Sequence, residues 1–175
     1  MIAILLALSV TVDPAFLPCR PTWSAGAAVV EAQNSGDDRR VSVELADYLG
    51  RVAEVELDLP ARSHKRLLVM PPLLGRVTAT LVEEDGTRTS LAWAVRPECK
   101  GPSMAALARE DGRTGVTLPQ NIGGADIETG TIGKADLGGS WRPLAALDSI
   151  VAEARALHEL SDAERAVLTR WVDAG

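Results

Sequence analysis

The segment "AEVELDL" (residues 53–59) decides how the first half of this chain is read. Val55, Leu57 and Leu59 alternate with Glu54, Glu56 and Asp58, so one side of the extended backbone is apolar and the other acidic. A period of two marks a strand with one face in a core and the other in water. The neighbouring sequence repeats the pattern. "VSVEL" (41–45) sets Val41, Val43 and Leu45 against Ser42 and Glu44. "RVTATLVEEDGTRTSLAWAV" (76–95) reads as two strands joined through Asp85-Gly86, with Val77, Ala79 and Leu81 facing inward, as do Leu91, Trp93 and Val95. Further strands fall at 27–33 ("AAVVEAQ") and 64–70 ("HKRLLVM"), with turns at Asn34–Asp38 and Pro60–Ser63. About six short strands with turns every eight to twelve residues predict an immunoglobulin-like antiparallel β-sandwich over 23–97.

After Pro97 the texture changes. "PSMAALARED" (102–111) is a short apolar run ending in charge, and a Gly-rich stretch from Gly112 to Gly139 reads as a long surface loop, functional or disordered. "RPLAALDSIVAEARAL" (142–157) leads to the final helix. Leu144, Leu147, Val151, Ala154 and Leu157 also suit a helical spacing, but the brevity of "DSIVAEA" favours a strand over 148–153. Ser161 and Glu164 form a capping box, Val167, Leu168, Trp171 and Val172 an apolar stripe, and Gly175 a C-terminal cap. Strand, connection, strand, helix predicts a parallel α/β arrangement over 98–175.

Composition limits the function classes. At 46% hydrophobic and 24% charged residues the chain is an ordinary globular one, and 3% aromatics leaves the core to Val, Leu, Ile and Ala. A net charge of -6 opposes a general nucleic-acid binder, which needs a basic patch. The cluster of Arg62, His64, Lys65 and Arg66 is too small to change that and reads as a solvated turn. Residues 1–22 form a signal-like or first-strand segment. "MIAILLALSVTV" is too short for a membrane-spanning helix, suits the apolar region of a secretory signal, and lacks a preceding basic residue. Cys19 follows "FLP", a poor lipidation context. In an exported chain Cys19 and Cys99 would pair and close a loop of about 80 residues; in the cytosol they would be small buried hydrophobes.

"LDSIVAEARALHELSDAERAVLTRWVDAG" (147–175) resembles a recurrent segment of bacterial glutamine-amidotransferase-like domains of class I. "AVVEAQNSGDDRRVSVEL" (28–45) and "LDLPARSHKRLLVMPP" (57–72) are similar to the sandwich that precedes such domains in large exported or membrane-anchored proteins. The resemblance implies a truncated parallel, flavodoxin- or amidotransferase-like segment, since the family continues into a further strand beyond residue 175.

No catalytic constellation accompanies it. Amidotransferase chemistry needs a nucleophilic Cys on a strand-to-helix turn with a His as base. Cys19 lies between prolines, Cys99 follows the last sandwich strand, and the histidines are His64 and His158. "GTIGKAD" (130–136) has Glu128 where a phosphate loop needs its first Gly and Ala135 where it needs Ser or Thr. Glu83, Glu84 and Asp85 sit at a hairpin tip, where solvation outweighs calcium binding. No His/Cys/carboxylate spacing suits zinc, and no cofactor is expected. Trp93 and Trp171 read as core. Trp141, beside Arg142 and after the Gly-rich stretch, is the candidate partner contact. Trp23 carries no reading of its own.

The expectation is therefore a non-catalytic binding or scaffolding module on the periplasmic side of the cell envelope. It would hold protein partners and no nucleic acid, with membrane anchoring through regions outside this chain. The alternative is the N-terminal part of a hydrolase or amidotransferase-like enzyme whose catalytic residues lie beyond residue 175. A third reading is a self-contained sandwich onto which the C-terminal segment docks as a helical extension.

Overall fold

Alternation written into the sequence becomes two antiparallel sheets and, after residue 97, the described residues form one small parallel sheet, a two-stranded antiparallel hairpin and few helices. The computed structural model describes residues 8–17, 19, 26–71, 73, 77–92 and 97–174. Trp23, Trp93, Val95 and Gly175 lie outside those residues. The chain divides into two units, one of residues 1–13 and 23–95, the other of 14–22 and 96–175.

The first unit holds strands β1 (Leu8–Pro14), β2 (Ala28–Asn34), β3 (Arg39–Asp47), β4 (Val52–Leu59), β5 (Ser63–Val69), β6 (Val77–Glu83) and β7 (Arg88–Leu91). One sheet has the order β1-β2-β5, the other β4-β3-β6-β7. Antiparallel pairing sets Val43 between Val55 and Leu81, and Leu45 beside Ala79, so the alternating apolar residues share one face. Val43, Leu45 and Leu57 are 0% exposed and meet Val12, Ala28, Val30 and Ala32 from the other sheet in one core. Burying a side chain of this size contributes about 2 kcal/mol, which makes the inward face the dominant local determinant.

Two turns carry specific polar locks. Buried Asn34 donates from Nδ2 to the carbonyls of Asp37 (2.8 Å), Leu59 (3.0 Å) and Pro60 (3.0 Å), and its Oδ1 accepts from Gly36 N–H. It ties the end of β2 to the end of β4. Between β3 and β4, Asp47 Oδ1 accepts from the Leu49 and Arg51 amides, while Arg51 Nε reaches Oδ2 at 2.7 Å. The basic cluster read as a turn is a strand from His64 on, paired with β2 through His64↔Gln33 to Arg66↔Glu31; only Arg62 occupies the turn. Leu8–Pro14, in the stretch read as a signal-like or first-strand segment, is a sheet strand with Val12 buried.

The second unit is built on β8 (Ser103–Leu107), the short hairpin β9 (Asn121–Ile122) and β10 (Ala125–Asp126), β11 (Glu128–Ile132), β12 (Ser149–Val151), α1 (Ala154–His158) and α2 (Asp162–Asp173). The sheet order is β11-β8-β12, parallel throughout. The stretch from Gly112 to Gly139 is therefore not one long loop: it supplies a hairpin, a core strand and a 3-10 turn at Lys134–Leu137. Ile132 and Leu137 are its buried anchors, and glycines on both sides of "TI" conceal them from a reading by composition. Gly130 is required by close approach, because a Cβ there would overlap the carbonyl oxygen of Phe16. The helical spacing of 144–157 divides into a 3-10 turn (Arg142–Ala146), β12 and α1.

In α2 the capping box is present: Ser161 Oγ accepts from Glu164 N–H (3.3 Å) and Glu164 Oε2 accepts from Ser161 N–H (2.7 Å). Val167 is buried and Leu168 and Trp171 are half-buried, but Val172 is 67% exposed and falls off the stripe. Leu17 and Cys19 are buried among Leu107, Ile132, Leu144 and Leu160, and Cys19 is disulfide-bonded to Cys99 with Cα atoms 5.0 Å apart. Among the described residues no helix is long and apolar enough to cross a membrane.

Candidate functional site

The second unit opens a cleft of about 540 Å³ lined by Trp141, Ala145, Leu147, Asp148, Trp171 and Val172, with Ala174 at its rim. Its position follows from the packing of α2 on the two 3-10 turns, which sets the last turn of the helix beside Leu147 and Asp148, the residues that lead into β12. Trp141 precedes the 3-10 turn, where Pro143 presets the backbone, and Leu144 and Leu147 anchor that turn in the core. Both indoles are half-buried, packed on the core on one side and open to the cleft on the other.

Asp148 is held by a reciprocal clasp with Ser103. The Ser103 amide and hydroxyl donate to Asp148 Oδ2 at 2.7 and 2.8 Å, and the Asp148 amide donates to the Ser103 carbonyl at 3.0 Å. The clasp fixes one carboxylate oxygen at the start of β8 and β12. Oδ1 takes no hydrogen bond among the described residues, and Asp148 is the ionisable side chain in the cleft lining. Arg142 stands exposed beside Trp141, its amide donating to Ser140 Oγ at 3.2 Å, and does not line the cleft.

The opposite end of the parallel sheet gathers charge. Arg109 follows β8, Lys134 follows β11 and Glu153 follows β12. Arg109 Nε and Glu153 Oε1 face each other at 3.5 Å, both buried and neither hydrogen-bonded, while Lys134 Nζ lies 3.9 Å from Glu110. Glu159 accepts the Glu110 amide, which holds its carboxyl below the usual glutamate range. These contacts make an ion-pair network and bring no nucleophile and base together.

The remaining sequence candidates are dispersed. In the disulfide neither Cys19 nor Cys99 is a thiolate. His64 bonds Glu31 on the adjacent strand at 2.6 Å, and His158 closes α1 in the other unit. Asp85 Oδ1 is taken by the Thr87 amide, which lowers its pKa, and Glu83 lies 3.6 Å from Arg39. Among the described residues no group of three His, Cys, Asp or Glu is placed to hold a metal ion. Sequence reading missed a feature at the β3–β4 turn, where Tyr48, Leu49 and Val52 are 71, 59 and 59% exposed on a tip locked by Asp47. The signal was present as apolar residues next to a Gly turn.

No family model matches this chain, and no curated protein matches it. Among solved structures it is similar to the ApaA protein from Bordetella pertussis, at 22% identity over 49% of this chain and 88% of that one, with a TM-score of 0.28. It is also similar to the structural-genomics target SoR45, at 13% identity over 54% of this chain and 90% of that one, with a TM-score of 0.27. At such scores neither likeness carries an argument about fold or activity.

Proposed function

We propose that this chain is a non-catalytic binding or scaffolding module of the cell envelope. Its first unit is read as an immunoglobulin-like sandwich and its second as the opening part of an amidotransferase-like α/β domain. Two antiparallel sheets around one core support the first assignment. Parallel strands followed by a capped covering helix support the second. The observation that carries the function is the open cleft lined by Trp141, Asp148 and Trp171, since two indoles and a carboxylate in one lining form a binding surface. Trp141, in the cleft lining, and Arg142, exposed next to it on the surface, are taken as the contact residues toward a protein partner. The Cys19–Cys99 disulfide supports an oxidising compartment, hence export. The acidic balance speaks against nucleic acid, and the reading includes membrane anchoring through regions outside this chain.

The test is fractionation of source cells with thiol trapping, combined with a photo-crosslinking residue at position 142. The expected result is disulfide-bonded protein in the envelope fraction, cross-linked to a discrete partner. Free thiols on a cytosolic species would overturn the reading. A second reading, an enzyme whose catalytic residues lie beyond residue 175, is favoured by Arg109, Lys134 and Glu153 gathering past the carboxyl ends of parallel strands, where α/β domains place their chemistry. Hydrolase activity of a longer product, abolished by replacing a downstream Cys or Ser, would establish it; an inert longer product would remove it.

A further inference from the structure

We infer that the Trp141–Trp171 cleft receives an arginine side chain from a partner polypeptide. The inference rests on the binding-module reading and names the chemistry of its site. Three features of the lining favour the same charge. Trp141 and Trp171 both line the cleft, and indole rings carry negative quadrupole density that attracts a weakly hydrated, planar cation most strongly. Exposed Asp148 brings a carboxylate whose Oδ2 is committed to Ser103, while its Oδ1 takes no hydrogen bond among the described residues. The cleft also borders the last turn of α2 at Trp171, Val172 and Ala174, the negative end of a helix of 12 residues.

Among the described residues no Lys or Arg lines the cleft to neutralise these features from within. Ala145, Leu147 and Val172 provide apolar wall for the aliphatic stem of the incoming side chain. The volume, about 540 Å³, exceeds that of one side chain and leaves room for flanking backbone, so the occupant is a peptide segment rather than free guanidinium. A lysine would satisfy the carboxylate but would not stack, which is why arginine is assigned.

The experiment is a tryptophan-fluorescence titration of the oxidised full chain with acetyl-Ala-Ala-Arg-Ala-Ala-amide. The control is the same peptide carrying citrulline, a neutral isostere of arginine. The arginine peptide should bind saturably and about tenfold more tightly than the citrulline peptide, with the preference shrinking as salt rises. Asp148→Asn should abolish the preference. Trp141→Leu should weaken binding about tenfold, and it tests the site independently if loss of the Ser103 clasp unfolds the first variant. Equal affinity for the two peptides, an unchanged preference in folded Asp148→Asn, or undiminished binding in folded Trp141→Leu would overturn the inference. A discrete cross-linked partner at position 142 without arginine preference would remove the arginine assignment and leave the binding-module reading standing.

Discussion

Leu57 and Asn34 show how differently single residues hold the first unit. Leu57 is apolar, on the inward face of the most regular strand, and 0% exposed. Leu57→Asp removes its burial and places a carboxylate in the core. The expected cost is at least about 4 kcal/mol, enough to abolish the cooperative melt of this unit. An unchanged melting temperature would show the inward face to be misassigned. Asn34 is polar and equally buried, and its amide serves three carbonyls and one N–H. Asn34→Ala removes the amide from the Asp37 and Leu59 carbonyls, while the Pro60 carbonyl keeps the Ser63 hydroxyl, and denaturant unfolding should show a loss of about 2 kcal/mol. A loss below about 0.5 kcal/mol would mean that water replaces the amide freely.

At the scale of elements, β11 and α2 depend on different physics. β11 is held by packing against the segment that carries Phe16 and Leu17. Gly130→Ala sets a methyl group against a backbone carbonyl that has no rotamer to yield, and should cost about 1–3 kcal/mol by thermal melting. α2 is held at its start by the capping box, and Ser161→Ala should cost about 1 kcal/mol. The box also makes the helix sensitive to acid. The Ser161 amide holds the Glu164 carboxyl below its ordinary range, so its folded pKa lies under its unfolded one. That stabilisation is complete above the ordinary glutamate range and is lost as the pH falls through the lower folded value. Helicity followed by circular dichroism from pH 6 to pH 3 should therefore fall, and Glu164→Gln should flatten part of the fall. An identical pH profile for the variant would remove Glu164 as the source.

Across the whole molecule, chain order interleaves the two units, and the disulfide closes both ends of the interleaved segment within the second one. A closed loop of this size contributes about 4–5 kcal/mol in the chain-entropy account. Reduction should lower the stability of the second unit by about 2–4 kcal/mol while the core of β3, β4 and β6 keeps its protection. Hydrogen exchange on the reduced and oxidised protein separates the two. Equal loss of protection in β3 and β8 would contradict the assignment of Cys19 and Cys99 to the second core.

The sequence by itself determined the strands of the first unit and the capped helix, because each is specified by residues two to four positions apart. "AEVELDL" needs no partner to reveal its inward face, and Ser161 and Glu164 are local to one another. It also singled out Trp141, beside Arg142 and after a Gly-rich stretch, as the candidate contact that the proposal above takes up. Only the tertiary structure made β11 a strand: its support comes from Ala105 and Ala106 on β8 and from Phe16 on a segment more than a hundred residues earlier. The cleft was equally hidden. Trp141, Asp148 and Trp171 share it because α2, after the last strand, packs against the 3-10 turn that precedes β12, and Asp148 is held by Ser103, 45 residues away. Pattern along the chain encodes which face an element buries; which elements meet is fixed by closing long loops, and that is decided in three dimensions.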